Sequence, residues 1–439
     1  MKTLLIVNAL LVNEGTRRSA DLLIQNGRIE KIASSLTNEE ADQVIDAQGR
    51  ILLPGMIDCH THCREPGLEE KATLYSETRA AVAGGVTSIM DMPNTKPPAT
   101  TNAILEEKFA LAKARCLTNY SFYLGASNSN LDELLAVDPQ TVCGIKLFMG
   151  ASTGNLLVDD ESALEEIFRQ VRLPLAVHCE DSAQIDANLK QIKARFGEEI
   201  PFRFHSIIRS AEACCTSTAK AIELAKRHKT RLHVLHVTTA CELDFFEIKS
   251  LPGKQITAEA CPHHLWFSEA DYDEKKAFIK CNPSIKTADD RAALRQALLD
   301  GRLDTVGTDH APHLFSEKQN PYLSAPSGMP NIQSALPVLL EFLSPELVAE
   351  KTAHNPARIY NIKERGFIRE GYWADLTLLD PLTPHTVEKE NIEYKCGWSP
   401  FEGTTFQSTV CATLVSGQLA YLNGQINDSV RGARLLFDR

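Results

Sequence analysis

Two histidines separated by one residue, His60 and His62 in Asp58-Cys59-His60-Thr61-His62, are the first groups along the chain with spacing suited to metal chemistry. Side chains alternate along a β-strand, so positions i and i+2 face the same way and two imidazoles placed there can close on one ion. His178 follows the apolar stretch Leu175-Ala176-Val177, and Leu232-His233-Val234-Leu235-His236-Val237 carries two more, of which His236 stands nearer the end. Asp309, in Gly307-Thr308-Asp309-His310, could cap the turn that follows or, among histidines, ligate a metal and exchange protons with its water. Lys146 lies inside the apolar run Gly144-Ile145-Lys146-Leu147-Phe148. A buried ammonium without a partner is costly, so this side chain either snorkels to water or is kept neutral. A neutral amine can add carbon dioxide, and the carbamate so formed has two oxygens able to bridge two cations.

These residues are far apart in sequence, and a fold must gather them. Apolar segments predict strands at Met56 to His60, Val86 to Met92, Ser121 to Gly125, Gly144 to Phe148, Leu175 to His178, Leu232 to Val237, Ile256 to Ala260 and Thr305 to Thr308. Helices are expected between them, among them Leu74 to Ala83, Ala103 to Ala114, Glu161 to Arg169, Ser182 to Ala194 and Arg209 to Lys226. Eight strands alternating with helices predict an α/β fold, a (β/α)8 TIM-like barrel, whose active sites gather at the C-terminal ends of the strands. The metal-type residues stand at those ends. Outside this region the texture is of short β segments with Gly and Asn turns, from Leu4 to Leu53 and again from Ala374 to Leu422. The two ends, 1–54 and 362–439, are expected to form one small β-sandwich domain, and 55–361 the hydrolase barrel.

The composition narrows the function classes. A chain of 439 residues, 43% hydrophobic and 23% charged, can bury a large core. Its net charge of -11 and the lack of any Lys/Arg run exclude nucleic acid as a partner. That charge also repels an anionic substrate unless local cations reverse the field, which makes an arginine near the histidines informative. Asn8 interrupts the only apolar run at the start, no cleavage site follows, and nothing approaches the roughly 18 apolar residues of a membrane span. Twelve cysteines without CxxC spacing, many in apolar stretches, suggest reduced thiols and a cytoplasmic protein. The sequence does not set the oligomeric state; a homodimer is compatible with it.

The motifs Asp58-Cys59-His60-Thr61-His62-Cys63-Arg64-Glu65-Pro66-Gly67, Met92-Pro93-Asn94-Thr95, Gly144-Ile145-Lys146-Leu147-Phe148, Pro262-His263-His264, Cys281-Asn282-Pro283 and Gly307-Thr308-Asp309-His310-Ala311-Pro312-His313, with His178 and His236, resemble those of the dihydroorotases of the amidohydrolase superfamily. The resemblance implies two Zn2+ ions: one held by His60, His62 and Asp309, the other by His178 and His236, with Lys146 bridging them as a carbamate formed with carbon dioxide. It also implies a hydroxide between the ions that attacks a cyclic amide, with Asp309 as the catalytic base and acid. The reaction implied is the reversible cyclisation of N-carbamoyl-L-aspartate to (S)-dihydroorotate in pyrimidine (UMP) biosynthesis. Some members carry an Asp in place of the lysine, for which Asp159 and Asp160 are the nearest candidates here.

Substrate choice rests on other positions. Arg64 can fork onto a carboxylate, and by the same resemblance Asn94, Asn282, His313, Ser327 and Gly328 complete the pocket. The alternative for Arg64 is a surface ion pair with Glu65 or Glu69. The loop around Pro326-Ser327-Gly328 is long enough to act as a lid. Two positions depart from many relatives: Ser284-Ile285-Lys286 follows Cys281-Asn282-Pro283 where Pro-Leu-Arg is common, and Cys261 precedes Pro262-His263-His264 where Thr is common. A structural role is expected for His263 and His264. The rival enzyme is a hydantoinase, dihydropyrimidinase or allantoinase, whose ring lacks the carboxylate that Arg64 would read. The rival of another class, a non-catalytic scaffold, is expected to have lost ligands.

Overall fold

The computed structural model describes residues 3–150 and 156–439. Five strands come first: β1 (Thr3–Asn13), β2 (Thr16–Gln25), β3 (Arg28–Ala33), β4 (Gln43–Asp46) and β5 (Ile51–Pro54). Asn8, which breaks the apolar run in the sequence, sits where the register of β1 on β2 shifts, with φ 57°. Its N–H, freed by this bulge, donates to Asp21 Oδ1 at 2.9 Å. The bulge lets β1 pair in parallel with β4 through Leu4 to Val7 and with β5 through Leu10 and Leu11.

Eight strands then form a parallel sheet in chain order: β6 (Met56–Thr61), β7 (Val86–Asp91), β8 (Asn119–Gly125), β9 (Gly144–Phe148), β10 (Leu175–His178), β11 (Leu232–Val234), β12 (Ile256–Ala260) and β13 (Thr305–Val306). A parallel bridge between Thr61 and His310, with His62 N donating to His310 O at 2.8 Å, brings the two edges together into the expected barrel. β11 and β13 end earlier than the apolar pattern predicts. The reason is local: His236 (φ 36°) and Asp309 (φ 48°) leave extended geometry for the left-handed region, a cost kept at functional positions. The helices follow the pattern closely, each with a polar side chain closing its first turn. Thr73 caps Leu74–Ala83, Asp160 caps Glu161–Gln170, Asp181 caps Ser182–Phe196 and Ser210 caps Ala211–His228.

β14 (Leu376–Asp380) returns the chain to β5, pairing antiparallel with it, and leads on to Thr409–Val415, Gln418–Leu422 and Gln425–Ile426. Both chain ends therefore share one nine-stranded sheet. Within the C-terminal β region Thr405–Phe406 is separate from Thr409–Val415 and pairs with His385–Thr386. Leu22, Ile29, Leu52 and Leu376 are completely buried in the small core of this sheet, each burial contributing about 1.5–3 kcal/mol. Leu435 and Phe437 instead pack with Ile57, Tyr123 and Tyr360 of the barrel.

Among the described residues no helix is long and apolar enough to cross a membrane. Ten cysteines are free thiols, but Cys215 and Cys241 are joined in a disulfide, a correction to the fully reduced reading. Their helices, Ala211–His228 and Ala240–Leu243, pack side by side, and a separation of 26 residues gives no sign of it in the sequence.

Candidate active site

The ends of β6 and β13 build a tight three-residue group. His60 Nε2 lies 3.2 Å and His62 Nε2 3.0 Å from the same atom, Asp309 Oδ1. The far nitrogen of each ring is occupied: His60 Nδ1 faces Glu259 Oε1 at 2.7 Å and His62 Nδ1 faces Asn94 Oδ1 at 2.7 Å. Both Nδ1 atoms must therefore carry the proton and donate, which leaves two Nε2 lone pairs and a carboxylate oxygen aimed at one another. Three acceptors in contact repel unless a cation joins them. Burial pushes His62 down to about 4, keeping it neutral. Two imidazoles and a carboxylate fit a divalent transition metal.

β10 and the residues after β11 supply a second group. His178 Nδ1 lies 2.9 Å from His236 Nε2, and His178 Nε2 lies 2.9 Å from Glu180 Oε2. Glu180 also takes an ion pair from Arg209; burial opposes its ionisation, but Arg209 and His178 bring its carboxyl down to about 2. Burial lowers both His178 and His236, so both rings are neutral. Lys146 stands on β9 between the two groups, 1% exposed, with its Nζ 4.5 Å from the Phe148 ring. Its Nζ has no hydrogen bond or ion pair among the described residues. Desolvation brings its amine down to about 8, so the kept-neutral reading of this lysine has a physical basis. Asp159 and Asp160, the acidic alternatives, are elsewhere: Asp159 accepts from Asn128 and Asp160 caps a helix.

A cavity of ≈ 240 Å³ opens above these residues, bordered by His60, His62, Lys146, His178, His236 and Asp309 and by the expected substrate contacts Arg64, Asn94, Asn282, His313, Ser327 and Gly328. Arg64 is buried, not on the surface; Glu65 is held by Arg115 and Leu74 N, and Glu69 by Gly67 N. Arg64 Nε donates to Pro312 O at 3.0 Å. His313 Nδ1 lies 3.1 Å from Lys71 Nζ and 3.6 Å from Glu317 Oε2, and its Nε2 lies 3.0 Å from Ser327 O. Arg64 Nη2 lies 3.1 Å from that same Nε2, at the edge of the cavity. The buried Asn282 Oδ1 has no partner among the described residues. Gly328 (φ 129°) leaves no room for a side chain, since a Cβ would meet Ala311 O at 2.7 Å. The expected lid is a fixed wall here: Gly328 N donates to Lys280 O, and Lys318 Nζ to Pro326 O and Gly328 O, each at 2.8 Å.

Sequence reasoning missed Glu259. Its carboxylate, completely buried on β12, holds His60 Nδ1, accepts from His236 N at 3.3 Å and faces His233 Nε2 at 3.8 Å. Burial alone would raise it, but His60 and His233 bring it down to about 2. Gly307 makes space for it, because a Cβ there would lie 2.2 Å from Glu259 Oε2. An acidic residue inside the apolar Ile256 to Ala260 run was the available signal. His263 and His264 are buried outside the cavity, where His263 meets Asn331 and His264 meets Pro283 O.

The Amidohydrolase family model matches residues 51–420. The dihydroorotase of Methanosarcina acetivorans is 31% identical over 441 residues, spanning 96% of this chain and 92% of that protein. The dihydroorotase of Halobacterium salinarum is 34% identical over 394 residues, spanning 88% and 90%. Among solved structures, the L-hydantoinase (dihydropyrimidinase) of Arthrobacter aurescens superposes with a TM-score of 0.93 at 26% identity, covering 97% of this chain and 98% of that one. The dihydropyrimidinase of Brevibacillus agri superposes with a TM-score of 0.89 at 26% identity, covering 100% of both.

Proposed function

Since the chain belongs to the amidohydrolase family, in company with dihydroorotases, we propose that it interconverts N-carbamoyl-L-aspartate and (S)-dihydroorotate, the ring-closing step of pyrimidine (UMP) biosynthesis. His60, His62 and Asp309 would hold one Zn2+ and His178 and His236 a second, with carbamylated Lys146 shared between them. Bound there, the ions polarise the ring amide carbonyl and lower the pKa of water towards neutrality. Lys146 would first give up its ammonium proton, and the neutral Nζ would then bond to the carbon of carbon dioxide with release of a second proton, so that a cation becomes the anion the site lacks. Asp309 takes the proton of the attacking water and delivers it to the leaving ring nitrogen. Asn94 fixes the His62 ring through Nδ1, and Asn282 Oδ1 offers an acceptor to a ring N–H.

Arg64 carries the choice of substrate. It is a buried guanidinium with no carboxylate partner among the described residues, opening on the cavity beside His313. A ring bearing a carboxylate supplies the missing partner, and the rings of hydantoin and dihydrouracil do not. The structural likeness to hydantoinases and dihydropyrimidinases favours the second reading, a hydantoinase, dihydropyrimidinase or allantoinase. Assays of dihydroorotate, dihydrouracil and allantoin side by side separate the two. Turnover confined to dihydroorotate is expected; faster turnover of either uncharged ring would overturn the assignment.

A further inference from the structure

A second cavity, of ≈ 310 Å³, lies at the opposite end of the barrel, where Arg231 and Leu232 enter β11 and Gln255 and Thr257 enter β12. This is the lower end of the size range of small-molecule sites. Its walls hold Arg231, Lys254, Arg358 and His233, and no Asp or Glu, in a chain with eleven more acidic than basic side chains. Lys254 is neutralised by Asp304 at 2.8 Å. The two arginines are not. Arg231 donates to Ile359 O at 2.6 Å and Arg358 to Asn355 Oδ1 at 3.4 Å, and neither has a carboxylate partner among the described residues. Burial lowers the Arg231 guanidinium, the mark of a cation removed from water without compensation. The crevice of the small domain shows the contrast: Arg369 stands there too, but Glu14 in the same wall takes its charge.

We propose that this far-end cavity is a binding site for a small organic anion, a phosphate or carboxylate on a flat apolar body. Arg231 and Arg358 take the anionic head, and Leu251, Pro252 and Ile359 cover the body. The site is separate from the substrate pocket and does not depend on the reaction assigned there.

Calorimetric titration of the metal-loaded enzyme with phenyl phosphate, and in parallel with benzoate, tests it and distinguishes the two head groups. Saturable binding of at least one probe is expected. It should persist in Arg64→Gln, which removes the buried guanidinium of the substrate pocket, and weaken by about tenfold or more in Arg358→Gln and in Arg231→Gln, the loss of one charge-assisted hydrogen bond. Arg358 is exposed, so its replacement leaves the fold intact and decides the matter alone if Arg231→Gln does not fold. The proposal is overturned if neither probe saturates at millimolar concentration, if binding is unchanged in Arg358→Gln, or if it disappears in Arg64→Gln.

Discussion

His60 and His62 turn their outer nitrogens to side-chain oxygens and their inner nitrogens to Asp309, whereas His178 and His236 turn to each other. In the first half of the site the protons are placed by Glu259 and Asn94, so the lone pairs converge before any ion arrives. In the second half His178 has Glu180 on one nitrogen and His236 on the other. For His178 Nδ1 and His236 Nε2 to ligate the proposed second ion, that ring-to-ring hydrogen bond would have to open, and Lys146 would have to gain its anion. Outer partners that fix a tautomer raise metal affinity. The difference teaches that the first half is preorganised and the second is assembled, so the first ion should bind more tightly and earlier.

The strongest way to break this comparison is Lys146→Ala. Activity should fall by about a thousandfold or more, with zinc analysis showing one ion kept and one lost, and short carboxylic acids should restore part of it. Two tightly bound ions in this variant would mean that the halves do not differ as described. The same lysine sets a pH dependence. Its folded-state pKa of about 8 lies below the ordinary lysine value, so below that pH the neutral amine is the minor form. Reactivation of metal-free protein with zinc at a fixed concentration of dissolved carbon dioxide should therefore quicken by roughly tenfold per pH unit up to about 8 and level off above it. A rate flat across that range would show that amine neutrality does not limit assembly.

Asp309→Asn tests the preorganised half. The amide oxygen can still ligate but cannot accept the proton of the attacking water, so zinc should largely remain while kcat falls by about 10²–10⁴-fold. Unchanged turnover would remove Asp309 from proton transfer and leave it a ligand alone.

How far the comparison could be read from the sequence depends on the residue. HxH spacing on an apolar strand reports its own geometry, because β alternation is local, so His60 and His62 were legible as a pair. The barrel was legible for the same reason, each strand and helix announcing its period. Glu259 was not, because a carboxylate in a strand has no meaning until the register of β11, β12 and β13 brings it against His60 and the missing Cβ of Gly307. The contact of His178 with His236 joins residues 58 apart, and the Cys215–Cys241 disulfide joins two surface helices; neither leaves a local trace. The conformation of the Pro326 loop was likewise hidden, since it is fixed by the buried Lys318 reaching backbone carbonyls.

Arg64→Gln sharpens the comparison by separating substrate from metal. Breaking a buried hydrogen-bonded charge pair costs roughly 2 to 5 kcal/mol, so kcat/KM for dihydroorotate should fall by about 30-fold or more. Both ions should stay, since Arg64 reaches neither histidine pair. Unaltered efficiency with dihydroorotate would favour the hydantoinase reading.

The smallest expected effect discriminates most finely between the halves. Glu259→Gln and Glu180→Gln each keep the size of an outer partner and remove its charge, the first behind His60 and the second behind His178. Loss of such a partner typically weakens metal binding by about 10–100-fold. Glu259 orders the preorganised half and also accepts His236 N, so its replacement should weaken both ions, towards the upper part of that range for the first. Glu180 touches only the assembled half and is itself held by Arg209, so Glu180→Gln should weaken the second ion alone and leave the first within about twofold. Competitive chelator titration at each ion measures this directly. Equal losses at both ions in both variants would show the two halves to be one cooperative unit, and the order of filling proposed for them would have to be abandoned.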